Sequence, residues 1–540
     1  MLKVQKETAS MLTRDGMRLD ADIYRPEGEG EFPVLLMRQP YRRAIASTVV
    51  YAHPTWYAAQ GYIVVIQDVR GRGTSEGEFE LFAHEVEDGV DAVNWAASLP
   101  GSTGSVGMYG FSYQGMTQLY AAVQRPFALK TICPAMIGYD LYSDWAYEGG
   151  AFCLQANLAW AIQLATETAR LRGDEPAYQA LYAAAQNLPL SDSIPARPTI
   201  LKDLAPDSFY HTWLDHPRPG EYWEKLSPKH LLQNVDLPML HIGGWFDTFL
   251  RGTLHLYQEM AARSTCPQHL VIGPWAHLLW GQKVGAVDYG EEAVIPVDRL
   301  QIRWFDQFLK GIDSGLEKEP PVSLFEMGSN EWRFLEALPN KPKSYFLAST
   351  GLASFNEGAL VATPAEACLD DVFVHDPWRP VPALGGHAVA PAGSFERSHL
   401  DSRTDVLTYT TAPLMADLHL SGEVTAEIYC TADAASFDLC AVLSEVHLDG
   451  SVYNLTQGYL RVESQPETTP LRVSLQATCT RIHQGHSLRL SLSAACFPAY
   501  PVNSGTGLPP GESRLMEAEV ITIGVSCGGD RSSRILLPVA

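Results

Sequence analysis

The chain has 540 residues, 46% of them hydrophobic and 19% charged, a globular profile too long for one core, so two or three domains are expected. Lys and Arg number 39 against 62 Asp and Glu, a formal charge of −23 that disfavours nucleic acid and anionic membrane surfaces as partners. Nine cysteines are scattered from Cys133 to Cys527 without a C-x-x-C pair, and no His-Glu-x-x-His cluster occurs, which reads as buried thiols with no metal and no cofactor.

The N-terminus reaches charged residues at once and has no apolar stretch of the secretory kind, so a cytoplasmic protein is expected. Four apolar runs then read as strands: Phe32 to Met37, Tyr62 to Gln67, Ser105 to Gly110 and Leu129 to Pro134. Strands this uniformly apolar suit a parallel sheet buried on both faces. Between the second and third, Val86, Val90, Val93 and Ala97 recur at helical spacing and predict a helix over Glu85 to Ala97 that covers the sheet. From Tyr139 to Val235 the sequence turns helical, Ala-rich and rich in Trp and Tyr. Its apolar run Ala151 to Ala165 is broken by Gln155, Asn157 and Gln163 and is too short to span a bilayer. Strand-like runs return at Leu237 to Gly243 and His269 to Gly273, and Arg299 to Lys310 reads as a closing helix, so the intervening stretch is a cap inserted over the sheet's C-terminal edge. After about Lys343, runs such as Val424 to Cys430, Leu439 to Val446, Tyr453 to Val462 and Leu488 to Ser493 alternate apolar and polar residues between turns, the pattern of a β sandwich. The expected division is 1–138 and 236–342 for an α/β domain, 139–235 for a helical cap and 343–540 for the sandwich.

Chemistry concentrates where these strands end. Gly110-Phe111-Ser112-Tyr113-Gln114-Gly115 follows one strand and precedes a helix-compatible run, the setting of a serine lifted above a sheet on a strained turn. Its second glycine falls three residues after the serine, where the usual Gly-x-Ser-x-Gly form has it two after. A hydroxyl needs a base to become a nucleophile, and the base needs an acid to orient it. In α/β-hydrolases these follow the serine in the order Asp, His, each on a loop after a later strand. Asp247 ends Gly244-Trp245-Phe246-Asp247 and His277 ends Pro274-Trp275-Ala276-His277, both just past a strand. Singly, His277 also fits a loop histidine bonded to backbone, and Asp247 the N-cap of a helix over 248–260; in this order and these places the three fit a triad. An oxyanion needs donors, and the backbone N–H of Tyr113 is one. The other falls to the phenol of Tyr41 in Arg38-Gln39-Pro40-Tyr41, which also fits a packing tyrosine on a turn.

These motifs, with Gln67-Asp68-Val69-Arg70-Gly71-Arg72-Gly73 and Tyr453-Asn454-Leu455-Thr456, resemble the CocE/NonD family of cocaine esterase-like acyl esterases, α-amino-acid ester hydrolases and, more distantly, X-Pro dipeptidyl peptidases. The resemblance runs almost end to end. It implies an α/β-hydrolase fold with an inserted helical cap and a C-terminal jelly roll, a tyrosine hydroxyl in the oxyanion hole at Tyr41, the later glycine of the serine motif, and a homodimer or larger homo-oligomer. The glycine spacing of Gln67 to Gly77 is wrong for dinucleotide binding and reads as a structural turn.

Within that family the amino-acid ester hydrolases carry acidic residues shortly after the catalytic aspartate, where this chain has Phe249 and Leu250. An ammonium group there is left unpaired, so small apolar or aromatic acyl esters are the expected substrates, with α-amino esters and X-Pro peptides as the alternative. Phe111, Trp275 and Phe249 are candidate pocket walls. Asp140, Asp144 and Glu148, at four-residue intervals, would share a helix face at the start of the cap, a solvated charge row or, through Asp144, a substrate contact.

Overall fold

The structure, a computed structural model, describes residues 2–540 apart from 279, 340, 367 and 464–468. Ten strands form the first sheet: β1 (Val4–Leu12), β2 (Arg18–Pro26), β3 (Phe32–Gln39), β4 (Ile63–Asp68), β5 (Ser102–Phe111), β6 (Leu129–Ala135), β7 (Met239–Phe246), β8 (Gln268–Ala276), β9 (Val322–Glu326) and β10 (Glu331–Leu335), in the order β1-β2-β4-β3-β5-β6-β7-β8-β9-β10. From β4 through β9 every neighbouring pair is parallel; β1, β2 and β10 join antiparallel at the edges. Strand order reverses at β3, which lies between β4 and β5, and an open α/β sheet binds its ligands at the carboxyl ends of the strands beside such a reversal.

The apolar runs β3 and β4 are buried on both faces, as their composition requires. One cover is α1 (Glu85–Ala97), whose acidic first turn complements the helix dipole. Another is α2 (Tyr113–Ala122), buried along its whole length. The turn after β4 is structural: a Cβ on Gly71 would lie 2.3 Å from the Phe79 amide nitrogen, and one on Gly73 1.9 Å from Asp68 Oδ2.

After β6 the chain makes a π-helical turn, Tyr142–Ala146, and a two-residue strand, Tyr147–Glu148. Asp144 and Glu148 therefore do not share a helix face, and neither is solvated: both are buried. Helices α3 (Leu154–Arg172) and α4 (Glu175–Gln186) follow; Gly173 ends the first in the left-handed conformation, and Asp174 caps the second by accepting from the Ala177 amide. Short helices fill 199–231 before the chain re-enters the sheet, which adds α5 (Leu250–Arg263) and α6 (Val297–Lys310).

Eleven strands between Pro342 and Pro538 make an all-β domain with its own core, including Leu347, Leu439, Leu443, Val473, Leu490 and Ile535. A separate apolar cluster containing Trp245, Leu270, Phe325, Ala477 and Cys479 joins it to the α/β sheet. All nine cysteines are free, six buried and three partly exposed. Among the described residues no helix is long and apolar enough to cross a membrane.

Candidate active site

Strand β5 delivers Phe111 to the sheet's carboxyl end, and the next residue, Ser112, has φ 59° and ψ −128°, a conformation that costs a non-glycine residue roughly 1–3 kcal/mol. Three backbone bonds hold it. Ser112 N–H donates to the Ala135 carbonyl at 3.0 Å, and the Ser112 carbonyl accepts from the amides of Gly115 and Met116, each at 2.9 Å. Gly110 has φ 142°, and a Cβ there would lie 2.4 Å from Gln114 Cβ. A Cβ on Gly115 would lie 2.3 Å from Ile137 Cγ2 and 2.9 Å from the Ala135 carbonyl oxygen. The late glycine thus marks where α2 crosses the end of β6. Beneath the turn, Glu85 accepts from the Tyr113 hydroxyl at 2.7 Å and from Arg38 Nη1 at 2.6 Å, while Arg38 Nε donates to Gln67 Oε1 at 2.8 Å. One buried ion pair therefore fastens the serine turn to the motifs that end β3 and β4.

Strands β7 and β8 run directly into Asp247 and His277. Their loops are pressed together, since a Cβ on Gly244 would lie 2.3 Å from the Trp275 carbonyl oxygen. His277 Nε2 lies 3.0 Å from Ser112 Oγ and His277 Nδ1 2.7 Å from Asp247 Oδ1. Asp247 is fully buried, and its Oδ2 has no hydrogen-bond partner among the described residues, so its charge is directed at the imidazole. The all-β domain steadies this loop: Gln476 Nε2 donates to the backbone carbonyls of Trp245 and Asp247 at 3.0 and 3.1 Å. No sequence signal marks Gln476, which lies 229 residues from Asp247.

Tyr41 stands just past β3, its amide donating to Gln39 Oε1 at 2.8 Å. Its hydroxyl oxygen accepts from Trp160 Nε1–H of α3 at 3.0 Å, which leaves the hydroxyl proton to be given elsewhere. Burial pushes the Tyr41 pKa well up, so the phenol keeps that proton. The Tyr113 amide opens α2 and has no intrahelical acceptor.

Ser112, His277 and Tyr41 all border one cavity of about 1140 Å³. Phe111, Trp145, Trp160 and Phe249 form aromatic walls, and the segment His387 to Ala392 closes a side from the all-β domain. Phe249 lies with its ring centroid 4.0 Å from that of Trp145 and 4.9 Å from that of His277, edge-on to the imidazole. The lining includes Lys283 but no aspartate or glutamate among the described residues.

Two expected pocket residues lie elsewhere. Trp275 is fully buried, donates its indole N–H to the Ala293 carbonyl at 2.9 Å and stacks on Trp280, and it is not among the residues that line the cavity. Asp144 accepts from the Asp140 amide at 2.8 Å and pairs with His255, so its carboxylate is consumed in closing the turn that starts the cap. Sequence reasoning missed Trp160, Gln476 and His387, whose partners are all more than a hundred residues away.

Residues 15–279 match the X-Pro dipeptidyl-peptidase (S15 family) domain, and residues 314–535 the X-Pro dipeptidyl-peptidase C-terminal non-catalytic domain. The chain is 30% identical to the cocaine esterase of Rhodococcus sp. (strain MB1 Bresler) over 558 residues, 97% of each chain. In fold it is similar to an aminopeptidase from the marine sediment archaeon Thaumarchaeota archaeon, with TM-score 0.82, 23% identity and coverage of 100% of this chain and 97% of that one. An α-amino acid ester hydrolase superposes with TM-score 0.80 at 22% identity, over 99% of this chain and 97% of that one. With both domains matched and a curated relative aligned end to end, this chain is a serine hydrolase and belongs to the CocE/NonD family.

Proposed function

We propose that the protein is a carboxylic-ester hydrolase that uses Ser112 as nucleophile, His277 as general base and Asp247 as the residue that orients it. The observation that carries this reading is the unbroken chain from Ser112 Oγ through both imidazole nitrogens to Asp247, 3.0 and 2.7 Å long at its two links, at the edge of the cavity. His277 takes the proton from Ser112 as Oγ attacks the ester carbonyl. The Tyr41 hydroxyl and the Tyr113 amide receive the oxyanion, the alcohol leaves with the proton from His277, and an acyl-enzyme remains. Water, deprotonated by the same histidine, then releases the acid.

The cavity supports small apolar or aromatic acyl groups. An α-ammonium group would meet Phe249 and other aromatic rings with no carboxylate among the lining residues, at a desolvation cost of several kcal/mol. The family's peptidase members make the amide-cleaving alternative worth a direct comparison. A neutral p-nitrophenyl ester should exceed both the matching α-amino ester and an X-Pro anilide in kcat/KM by at least about tenfold; the reverse order would make the chain an aminopeptidase on the same machinery. Ser112→Ala should abolish ester turnover in either case, and activity within tenfold of wild type would overturn the assignment. A burst of p-nitrophenol on mixing reports the acyl-enzyme when its hydrolysis is the slower step.

A further inference from the structure

Two strand-connecting turns meet at one end of the all-β domain, the first a hairpin and the second a crossover between strands that do not pair. The first joins the strands Phe437–Val446 and Val452–Val462, and the second joins Leu471–Ile482 to Ser487–Ser493. Glu445 sits near the end of its strand, in register with Leu488. His447 opens the first turn, closed by its amide on the Ser451 carbonyl at 2.9 Å, and His486 follows Gly485 in the second. The chain folds so that both imidazoles face one carboxylate. Glu445 Oε1 lies 2.6 Å from His486 Nδ1, and Oε2 lies 3.6 Å from His447 Nε2. The two rings stack with centroids 4.8 Å apart and 24° between their planes.

Glu445 is only 9% exposed, and among the described ion pairs it meets no lysine or arginine. A dication held between the three side chains would supply the charge that no lysine or arginine gives Glu445. Two imidazole nitrogens and one carboxylate oxygen are the donor set of a borderline metal such as zinc, with a fourth position for water. The three donor atoms already lie within 4.8 Å of one another. A tetrahedral zinc with bonds of about 2.0–2.1 Å would place them about 3.3 Å apart, within reach of small side-chain rotations. Tyr453 stacks on His447 with centroids 5.1 Å apart and fixes the ring from behind, as an outer support does for a metal ligand.

We propose that Glu445, His447 and His486 bind a divalent transition metal, with zinc the best fit, and that the ion clips these two turns of the all-β domain together. The ligands come from segments 41 residues apart, so no compact sequence motif announces them. None of the three side chains lines the cavity that holds Ser112.

The test uses the full chain, stripped with chelator and titrated with zinc chloride by calorimetry, alongside thermal melts. One saturable equivalent per chain and a melting temperature that climbs with zinc concentration are expected. His447→Ala and His486→Ala should each weaken binding at least tenfold and remove the thermal shift, with far-UV circular dichroism confirming that each variant is folded. Should either alanine variant fail to fold, the glutamine variants H447Q and H486Q replace it. Cobalt substituted for zinc should show d–d bands without the intense thiolate charge-transfer bands that cysteine ligation gives. Failure of the wild type to bind zinc saturably, wild-type affinity in both histidine variants, or thiolate bands in the cobalt spectrum would each overturn the proposal.

Discussion

Tyr41 tests the oxyanion reading at the level of a single atom. Its hydroxyl oxygen already accepts the Trp160 N–H, so the one hydrogen it carries is free for the substrate. Tyr41→Phe removes that donor and keeps the ring. Loss of one such donor costs about 10²–10³-fold in kcat in acyl-transfer enzymes, and a drop of that order with KM changed little is expected in steady-state assays on a p-nitrophenyl ester. An equal fall in kcat and rise in KM would instead make Tyr41 a binding residue. At this scale the sequence is most informative where a strand ends in a reactive side chain: Ser112, Asp247 and His277 each follow a strand, and the structure brings them into one hydrogen-bonded line. Trp275 and Asp144 mislead for physical reasons. Proximity to His277 in the chain does not decide whether an indole lines the cavity or packs against Ala293 and Trp280. The four-residue spacing from Asp140 to Glu148 presumes one continuous helix, whereas the turn ends at Ala146.

Among the elements, α3 does more than roof the cavity, because through Trp160 it fixes the angle of the Tyr41 hydroxyl. Trp160→Phe preserves an aromatic ring against Trp145 and Phe209 but deletes the N–H. A neutral hydrogen bond contributes about 0.5–1.5 kcal/mol, so kcat should fall roughly two- to tenfold. In the double variant with Tyr41→Phe the tryptophan change should cost nothing further, since its route to the oxyanion has gone; additive losses would separate the two residues. The buried parallel strands β3 to β8 are legible in sequence because uniform apolarity leaves few alternatives, although all but β4 read shorter than they are and β4 reads one residue early. The hairpin β1–β2 is not. Most of β1 is exposed and carries Lys6, Glu7 and Gln5, the polar make-up of an edge strand that avoids pairing with other molecules, and this erases the alternation a reader looks for. The pair β9–β10 escapes for its brevity, five residues each around a tight turn.

Across the whole molecule, the all-β domain reaches the active site by two routes: Gln476 on the Asp247 loop, and a buried charge cluster centred on Glu148. Glu148 Oε1 pairs with Arg251 of α5 at 3.1 Å, and Oε2 accepts from the Tyr500 hydroxyl at 2.6 Å and lies 2.8 Å from His387 Nε2. Tyr500 and His387 belong to the all-β domain, and His387 borders the cavity. Burial opposes ionisation of Glu148, but the charges of His387 and Arg251 outweigh it and hold the carboxyl at about 2, below its usual 4.5. A depressed acid stabilises the fold at any pH well above 4.5, and that contribution drains away as pH falls from 4.5 towards 2, because the unfolded chain takes up the proton first. The size is about 3 kcal/mol at neutral pH and less than half of that at about pH 3. Glu148→Gln should therefore cost about 3 kcal/mol in urea unfolding at neutral pH and markedly less at about pH 3. An equal loss at both would assign the effect to packing and hydrogen bonding. The same variant frees His387 from its counter-charge, so the cavity wall from 387 to 392 should lose its hold on the cap, and wild-type activity should decline in acid alongside stability.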